Sequence, residues 1–346
     1  TTVTPDTVVS PDVEPDVVVN PETIEETSPE VVCTPDCTDK VCGPDGCGGF
    51  CGTEEGGVCP NPDNLEFGDA PFCVNGECLT FCTPFPEPGT SETPPYAIAT
   101  PIPVGVMDPA TMSVPGPDNL TLCFDYDNDG TPDNGLANLN SLYLTLLNGQ
   151  FASLEVAIML QFAGLTTFTN ATDFDLNGFL GEAGTADYVV YDQSYAEGDT
   201  CGPYVYFPDS DIVAGTLGAG PHSFTVTLPM WDYPTNITLY DFQVKGNVTE
   251  GGETGVAMSA GVVGAWLSRT EIEYVLAQID TICAGEDAPE LCGYYSSFKD
   301  QIDAELPKIF DLDLDDDGYM DAASLCMLFG LSKGKITAHM ERNWDE

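Results

Sequence analysis

Ser223-Phe-Thr-Val-Thr-Leu228 and Ile237-Thr-Leu-Tyr-Asp-Phe-Gln-Val244 decide the fold class. In both stretches apolar and polar side chains alternate with the two-residue period of a half-buried strand, using the β-branched and aromatic types that a pleated surface favours. Upstream, Val156-Ala-Ile-Met-Leu-Gln-Phe-Ala-Gly-Leu165 is a short apolar run that reads as a buried strand. Downstream the period changes. Ser268-Arg-Thr-Glu271 has the form of a capping box, and Ile272, Val275, Leu276 and Ile279 follow at helical spacing. A second helix is expected from Glu290 to Leu306, stopped by Pro307, with Cys283 and Cys292 placed to staple the turn between the two. The expected class is therefore α+β: a β-rich main domain over 119–340 that carries a helical hairpin.

Three further regions precede that domain. Residues 1–32 hold Pro5, Pro11, Pro15, Pro21 and Pro29, eight carboxylates and no basic residue, so they are expected to be an extended tail. The tail reads either as a stalk or, through Val13 to Val19, as a strand added to a neighbouring molecule. Residues 33–82 contain nine cysteines (Cys33, Cys37, Cys42, Cys47, Cys51, Cys59, Cys73, Cys78 and Cys82) and few large apolar residues, so bridges must replace a core. Within this knot, Cys73-Val-Asn-Gly-Glu-Cys78 reads as a tight hairpin turning at Asn75-Gly76. A zinc site competes for the cluster, but the segment has no His and disulfides are the expected use. Nine is odd, and so are the five later cysteines (Cys123, Cys201, Cys283, Cys292, Cys326), so one bridge leaves the knot; Cys82 to Cys123 is a reasonable pairing. Residues 83–118 read as a Pro-rich linker.

Composition restricts the function. The chain has 346 residues with 57 Asp+Glu against 8 Lys+Arg, a formal net charge of -49. Nucleic acid is excluded as a partner, because phosphate neutralisation needs clustered cations, and an anionic membrane surface is disfavoured for the same reason. Only Lys40 is basic before Lys245, so bound metal or a salty medium must offset the carboxylates. The cysteine count points to an oxidising compartment, and the start at Thr1 without an apolar leader leads us to expect a processed, secreted form at the cell surface or outside it. The longest weakly polar runs, Val156 to Phe168 and Gly255 to Leu267, fall short of the roughly 20 residues that span a bilayer.

The strongest chemical signal is an acidic loop that occurs twice. Asp125-Tyr-Asp127-Asn-Asp129-Gly130-Thr131-Pro-Asp133 and Asp313-Leu-Asp315-Asp-Asp317-Gly318-Tyr319-Met-Asp321 share the frame D-x-D-x-D-G-x-x-D. Ca2+ takes six to eight hard oxygens, and carboxylates at alternate positions of a loop that turns at Gly can converge on one ion, with the carbonyl of Thr131 or Tyr319 at the seventh position. The bidentate Glu of a sensor loop is missing at the twelfth position, where Leu136 and Ser324 stand, so the sites are expected to be structural. Asp173, Asp175 and Asn177 begin the same frame without completing it and read as a weaker calcium loop or an acidic turn.

Enzyme signatures are scarce. Two histidines, His222 and His339, preclude a His-rich metal site, and no nucleophile or acid–base constellation stands out, so no enzyme is expected. Asn119, Asn170, Asn236 and Asn247 open formal N-x-T glycosylation acceptors, and Trp231 beside Tyr233 could stack on a sugar.

The run Cys33-Thr-Pro-Asp-Cys37 through Lys40-Val-Cys42-Gly-Pro-Asp-Gly-Cys47-Gly-Gly-Phe-Cys51-Gly resembles a Cys-rich module of uncharacterised secreted proteins and lipoproteins of myxobacteria and related deltaproteobacteria. Cys123-Phe-Asp-Tyr-Asp-Asn-Asp-Gly-Thr-Pro-Asp-Asn134, paired with Asp313 to Ser324, is similar to calcium loops of the same family, and Val256 to Leu267 looks like its Gly-rich turn before a helix. The resemblance implies a cell-surface or extracellular calcium-loop protein without a known reaction.

The sequence thus leads to the expectation of an extracellular, calcium-stabilised structural surface protein, whose tail tethers or interlocks copies of itself into a filament or joins other surface components. A surface module that binds carbohydrate or another ligand on a stalk is the alternative, and a secreted hydrolase the second.

Overall fold

The computed structural model describes residues 35–342, except 46–48, 61–70, 86–92, 155, 186, 198–199, 231–232, 251–254, 286–290 and 315–317. The expected tail (1–32), Cys33, Cys47, Asp315, Asp317 and Trp231 lie outside the described residues, as does the side chain of Tyr233. The chain is α+β and β-rich. Strands β1 (Phe72–Val74) and β2 (Glu77–Leu79) form a small hairpin, and β3 (Tyr96–Met107) enters the main sheet. Helix α1 (Ser141–Ala152) precedes β4 (Ala157–Ala163), β5 (Asn170–Gly184) and β6 (Asp187–Tyr191). The short β7 (Tyr195–Ala196) and β8 (Gly202–Pro203) pair with each other, and β9 (Val205–Val213), β10 (Thr216–Met230), β11 (Tyr233–Thr249) and β12 (Ala257–Ser268) follow as a meander. Helices α2 (Arg269–Ala284) and α3 (Leu291–Glu305) come next, and β13 (Ala322–Met340) closes the fold.

The sheet closes on itself twice. Strands β5, β4, β3 and β13 form an antiparallel wall. Near one end β6 bridges the wall's two outer strands, pairing antiparallel with β5 from Gly181 to Gly184 and parallel with β13 from Ile336 to Met340. Near the other, β9 to β12 run from β5, between Asn170 and Gly178, round to β13, between Ala322 and Leu331. The two rings share the wall and bury opposite faces of it. Because neighbouring side chains in a strand point to opposite faces, Val106 and Met159 join Val104, Phe179, Val190 and Ile336 in the smaller core. Met107 and Leu160, the next residue in each strand, join Phe174, Leu176, Phe207, Phe224 and Phe329 in the larger one. This explains the continuous apolar run of 156–165: β4 has a core on both sides. In the larger ring Phe207 meets Phe224 edge-on at 5.2 Å and stacks on Phe242 at 5.3 Å, the offset arrangements that aromatic quadrupoles favour.

Strands β10 and β11 are paired as an antiparallel hairpin, with Phe224 opposite Leu239 and Thr225 opposite Thr238. The polar face of that hairpin is not solvated. Thr225, Asn236 and Thr238 are 6%, 1% and 3% exposed because the disulfide-rich segment lies over them. Asn236 Nδ2 donates to Gly57 O (2.7 Å), Thr225 N–H donates to Asn75 Oδ1 (3.2 Å), and Phe50 packs on Tyr274 of α2 at 4.8 Å. Asn236 is therefore a buried donor and not an available glycosylation acceptor. The knot and the sheet belong to one compact unit beginning at Pro35.

Six disulfides stand among the described residues, the bonds of a chain folded in an oxidising compartment. Cys37–Cys51, Cys42–Cys73 and Cys59–Cys78 staple the knot, and Cys283–Cys292 staples α2 to α3. The pairing of Cys82 with Cys123 is corrected. Cys82 bonds Cys201, and Cys123 bonds Cys326. Counting parity reveals that a bridge must leave the knot and nothing about where the chain returns. Asn75 (φ 49) and Gly76 (φ 94) turn the β1–β2 hairpin as expected. Two further readings are corrected. Residues 96–107, inside the expected linker 83–118, form β3 at the centre of the wall, and all of Val256 to Leu267 but Val256 lies in strand β12, which runs directly into α2 and is not a turn. No helix among the described residues is long and apolar enough to cross a membrane.

Candidate metal centre

Both acidic loops hang from the same frame of hydrogen bonds. In the first, Asp133 N–H donates to Phe124 O (2.7 Å), Tyr126 N–H to Asp133 Oδ2 (2.6 Å) and Gly130 N–H to Asp125 Oδ2 (3.0 Å). In the second, Asp321 N–H donates to Leu312 O (2.7 Å), Leu314 N–H to Asp321 Oδ2 (3.0 Å) and Gly318 N–H to Asp313 Oδ2 (2.7 Å). Each of these three bonds in the first loop has its counterpart in the second at an offset of 188 positions, Asp125 to Asp313. Gly130 and Gly318 turn with φ of 89° and 88°, a left-handed conformation that costs glycine nothing. In each loop a backbone N–H holds one oxygen of the first Asp and one of the last, which fixes the orientation of both carboxylates.

In the first loop, oxygens of Asp125, Asp127 and Asp133 lie within 4.8 Å of one another. Three hard anionic donors at that spacing fit a divalent cation that prefers oxygen. Asp129 Oδ1 accepts the Thr131 N–H at 2.6 Å and holds the seventh-position residue. Burial pushes the Asp133 carboxyl up to about 6, and the charges of Asp127 and Asp311 add to the rise against the N–H bond from Tyr126. Cys42, Cys59 and Cys78 also cluster, but each is in a disulfide and offers no thiolate to a metal.

Asp311 is the residue the sequence frame missed. It precedes the second loop but faces the first: burial raises its pKa, and Asp127 contributes to the rise. Its Oδ1 accepts Ser324 N–H (2.8 Å), its Oδ2 accepts the Ser324 hydroxyl (2.6 Å), and Ser324 Oγ accepts Gly135 N–H (2.8 Å). Ser324, at the twelfth position of the second loop, thus carries a carboxylate at one remove instead of supplying one. The alternation Asp311, Asp313, Asp315 was the available signal.

The flanks of the two loops are tied together. The Cys123–Cys326 bridge precedes one loop and follows the other, and Cys326 N–H donates to Asn134 Oδ1 (3.2 Å). The loops differ in what stands beside them. Arg269, first residue of α2, places its guanidinium over the rings of Phe310 (4.7 Å) and Tyr319 (4.5 Å) and pairs through Nε with Glu273 (2.7 Å), and its backbone N–H donates to Asp321 O (2.7 Å). A cation therefore sits against the second loop, while the first has Asp311.

The expectation of a third loop is corrected. Asp173, Asp175 and Asn177 lie inside β5, where Asp175 pairs with Ala163 and Asn177 with Gln161 in the β4 register, and Asn177 Nδ2 donates to Gln161 Oε1 (3.0 Å). Asp175 and Asn177 are held in the β4 register, and Asp173 stands apart at a bulge against β9 with φ 60°, so the three are part of a strand and not of a loop. No family model matches the chain, and neither a curated protein nor a solved structure matches it.

Proposed function

We propose that this chain is an extracellular structural surface protein whose acidic loops are held by Ca2+, without enzymatic activity of its own. The observation that carries the reading is the duplicated hydrogen-bond frame with three convergent carboxylates in its first copy. Carboxylates that repel one another in water without a cation are brought within ion-binding distance by backbone bonds, and a divalent ion converts that repulsion into a tie between Cys123, β13 and the start of α2. The disulfides and the likeness of the Cys-rich module to secreted proteins support the setting. Copies of the chain are the proposed partners, joined through strand addition by the 1–32 tail.

Thermal unfolding with and without calcium tests the reading. For extracellular sites of roughly 0.1 to 1 mM affinity, 10 mM Ca2+ should stabilise by about 1.4 to 2.7 kcal/mol per site. Asp127→Asn should remove most of the first loop's share. An unchanged melting curve in calcium and in chelator would overturn the calcium reading, and light scattering that is the same with and without residues 1–32 would overturn the filament.

A further inference from the structure

A cleft of about 190 Å³ opens where the disulfide module meets the outer face of β10 and β11. Its nine lining residues include one lysine and no Asp or Glu, in a chain with 57 of them. The lysine is Lys40, the only basic residue before Lys245. Its stem is fixed by the hairpin tip, where a Cβ on Gly76 would come within 2.7 Å of Lys40 Cγ. Among the described residues its ammonium donates one long bond, to Pro44 O at 3.4 Å, and forms no ion pair with a carboxylate. Asp36 feels this charge as the least of the effects on its carboxyl. In so acidic a molecule a cation beside a cleft, without a direct carboxylate partner among the described residues, is the exception.

The neighbouring groups are donors too. Asn75 Oδ1 is taken by Thr225 N–H, which leaves the Asn75 amide NH2 to donate, and Ser223 Oγ accepts Asp241 N–H (3.3 Å), which leaves its hydroxyl proton free. Thr225 and Thr238 bond each other at 3.0 Å and form a satisfied floor. Tyr240 closes one side with a ring stacked on Trp266 at 4.2 Å and 12°. The carboxylates that act on Tyr240, those of Glu271 and Asp45, are themselves buried and are not part of the lining.

We infer that this cleft binds the carboxylate-bearing ring of an acidic saccharide. Lys40 pairs with the carboxylate, Asn75 and Ser223 donate to ring and hydroxyl oxygens, and Tyr240 offers an aromatic wall to the sugar's apolar edge. One ammonium with neutral donors matches a monoanion. The volume is below the roughly 300 to 1,000 Å³ of sites for drug-sized ligands, which suits one monosaccharide unit and not a nucleotide. The inference does not depend on the calcium loops.

Titration calorimetry and saturation-transfer NMR of the full chain test it, with methyl glucuronide, methyl glucoside and acetate as probes in about 0.15 M salt, which screens the molecule's own negative field. Methyl glucuronide should bind saturably, and at least about tenfold more tightly than either other probe. Lys40→Met, which keeps the stem over Gly76, should weaken it by at least about tenfold, and Ser223→Ala, on a strand away from the knot's bridges, by roughly threefold. Absence of saturable glucuronide binding overturns the inference. So does equal affinity for acetate, which would make the cleft a simple carboxylate trap, or undiminished binding by Lys40→Met. Glucuronide binding that persists in chelator keeps this inference even if calcium proves to have no effect on stability.

Discussion

The two acidic loops are the same object locally and different objects in their surroundings. Residues 125–133 and 313–321 share spacing, turn and backbone hydrogen bonds, yet the first faces the half-buried carboxylate of Asp311 and the second lies under the guanidinium of Arg269. The comparison teaches that a nine-residue frame specifies where its oxygens point, whereas the charge that those oxygens meet is set by residues far away in sequence. The first loop is thus the one more dependent on an added cation, because the second has a guanidinium beside it, shared with Glu273 (2.7 Å).

Breaking the tie between the loops should have the largest effect. Replacing Cys123 and Cys326 by Ser opens a closed loop with a sequence separation of 203 and should cost about 4 kcal/mol of stability in chemical denaturation. It should also make the calcium responses of the two loops independent, and a double mutant that unfolds like the parent would show that the sheet alone holds the loops in place. Arg269→Ala should cost about 1 kcal/mol through two lost ring contacts. The same substitution should sharpen the comparison by raising the calcium affinity of the second loop towards that of the first, measured by titration in Asp127→Asn, where only the second loop responds; unchanged affinity would mean that the guanidinium does not offset the loop's charge.

The smallest effect concerns pH beside the second loop. Glu271, in the first turn of α2, is 3% exposed and accepts from Thr238 N–H (3.1 Å) and the Ser268 hydroxyl (2.7 Å). Burial raises its pKa above 4.5 against those bonds. A carboxyl raised in the folded state gives its full contribution below the unfolded pKa and loses it as pH rises through the folded value. Glu271→Gln should therefore remove a decline in stability on the alkaline side of pH 4.5, read as a flatter pH dependence of the denaturation midpoint. An unchanged slope would assign the decline to other carboxylates.

Much of the fold was legible because local patterns and tertiary demands agreed. The alternation in 223–228 and 237–244 gave β10 and β11, Ser268 to Glu271 gave the start of α2, and Asn75-Gly76 gave the hairpin. The capping box itself formed only in part. Ser268 Oγ accepts Glu271 N–H (3.2 Å), but the Glu271 carboxylate reaches across to Thr238 of β11 and ties the helix to the sheet. Strand β3 was hidden by Pro101 and Pro103, which read as linker residues; the strand accommodates Pro101 at the register shift against β13, and Pro103, opposite Lys335, lies before the residues that also pair with β4. Asp173 to Asn177 looked like a loop because three polar residues in alternation fit either a ligand set or one face of a strand, and the apolar neighbours Phe174 and Leu176, both buried, decide for the strand.

The sequence by itself determined the elements whose causes are local: strand alternation, the hairpin turn, the helix caps, and two loops in which carboxylates and glycines recur at fixed spacing. Only the tertiary structure decided how these are connected. That the sheet closes twice around one wall, that Cys82 returns to Cys201 and Cys123 to Cys326, that Asp311 faces one loop and Arg269 the other, and that Lys40 stands at a cleft without carboxylates all depend on contacts between residues distant in the chain. Periodicity constrains each segment's own face and conformation, whereas the partner of that face is chosen by the packing of the whole core.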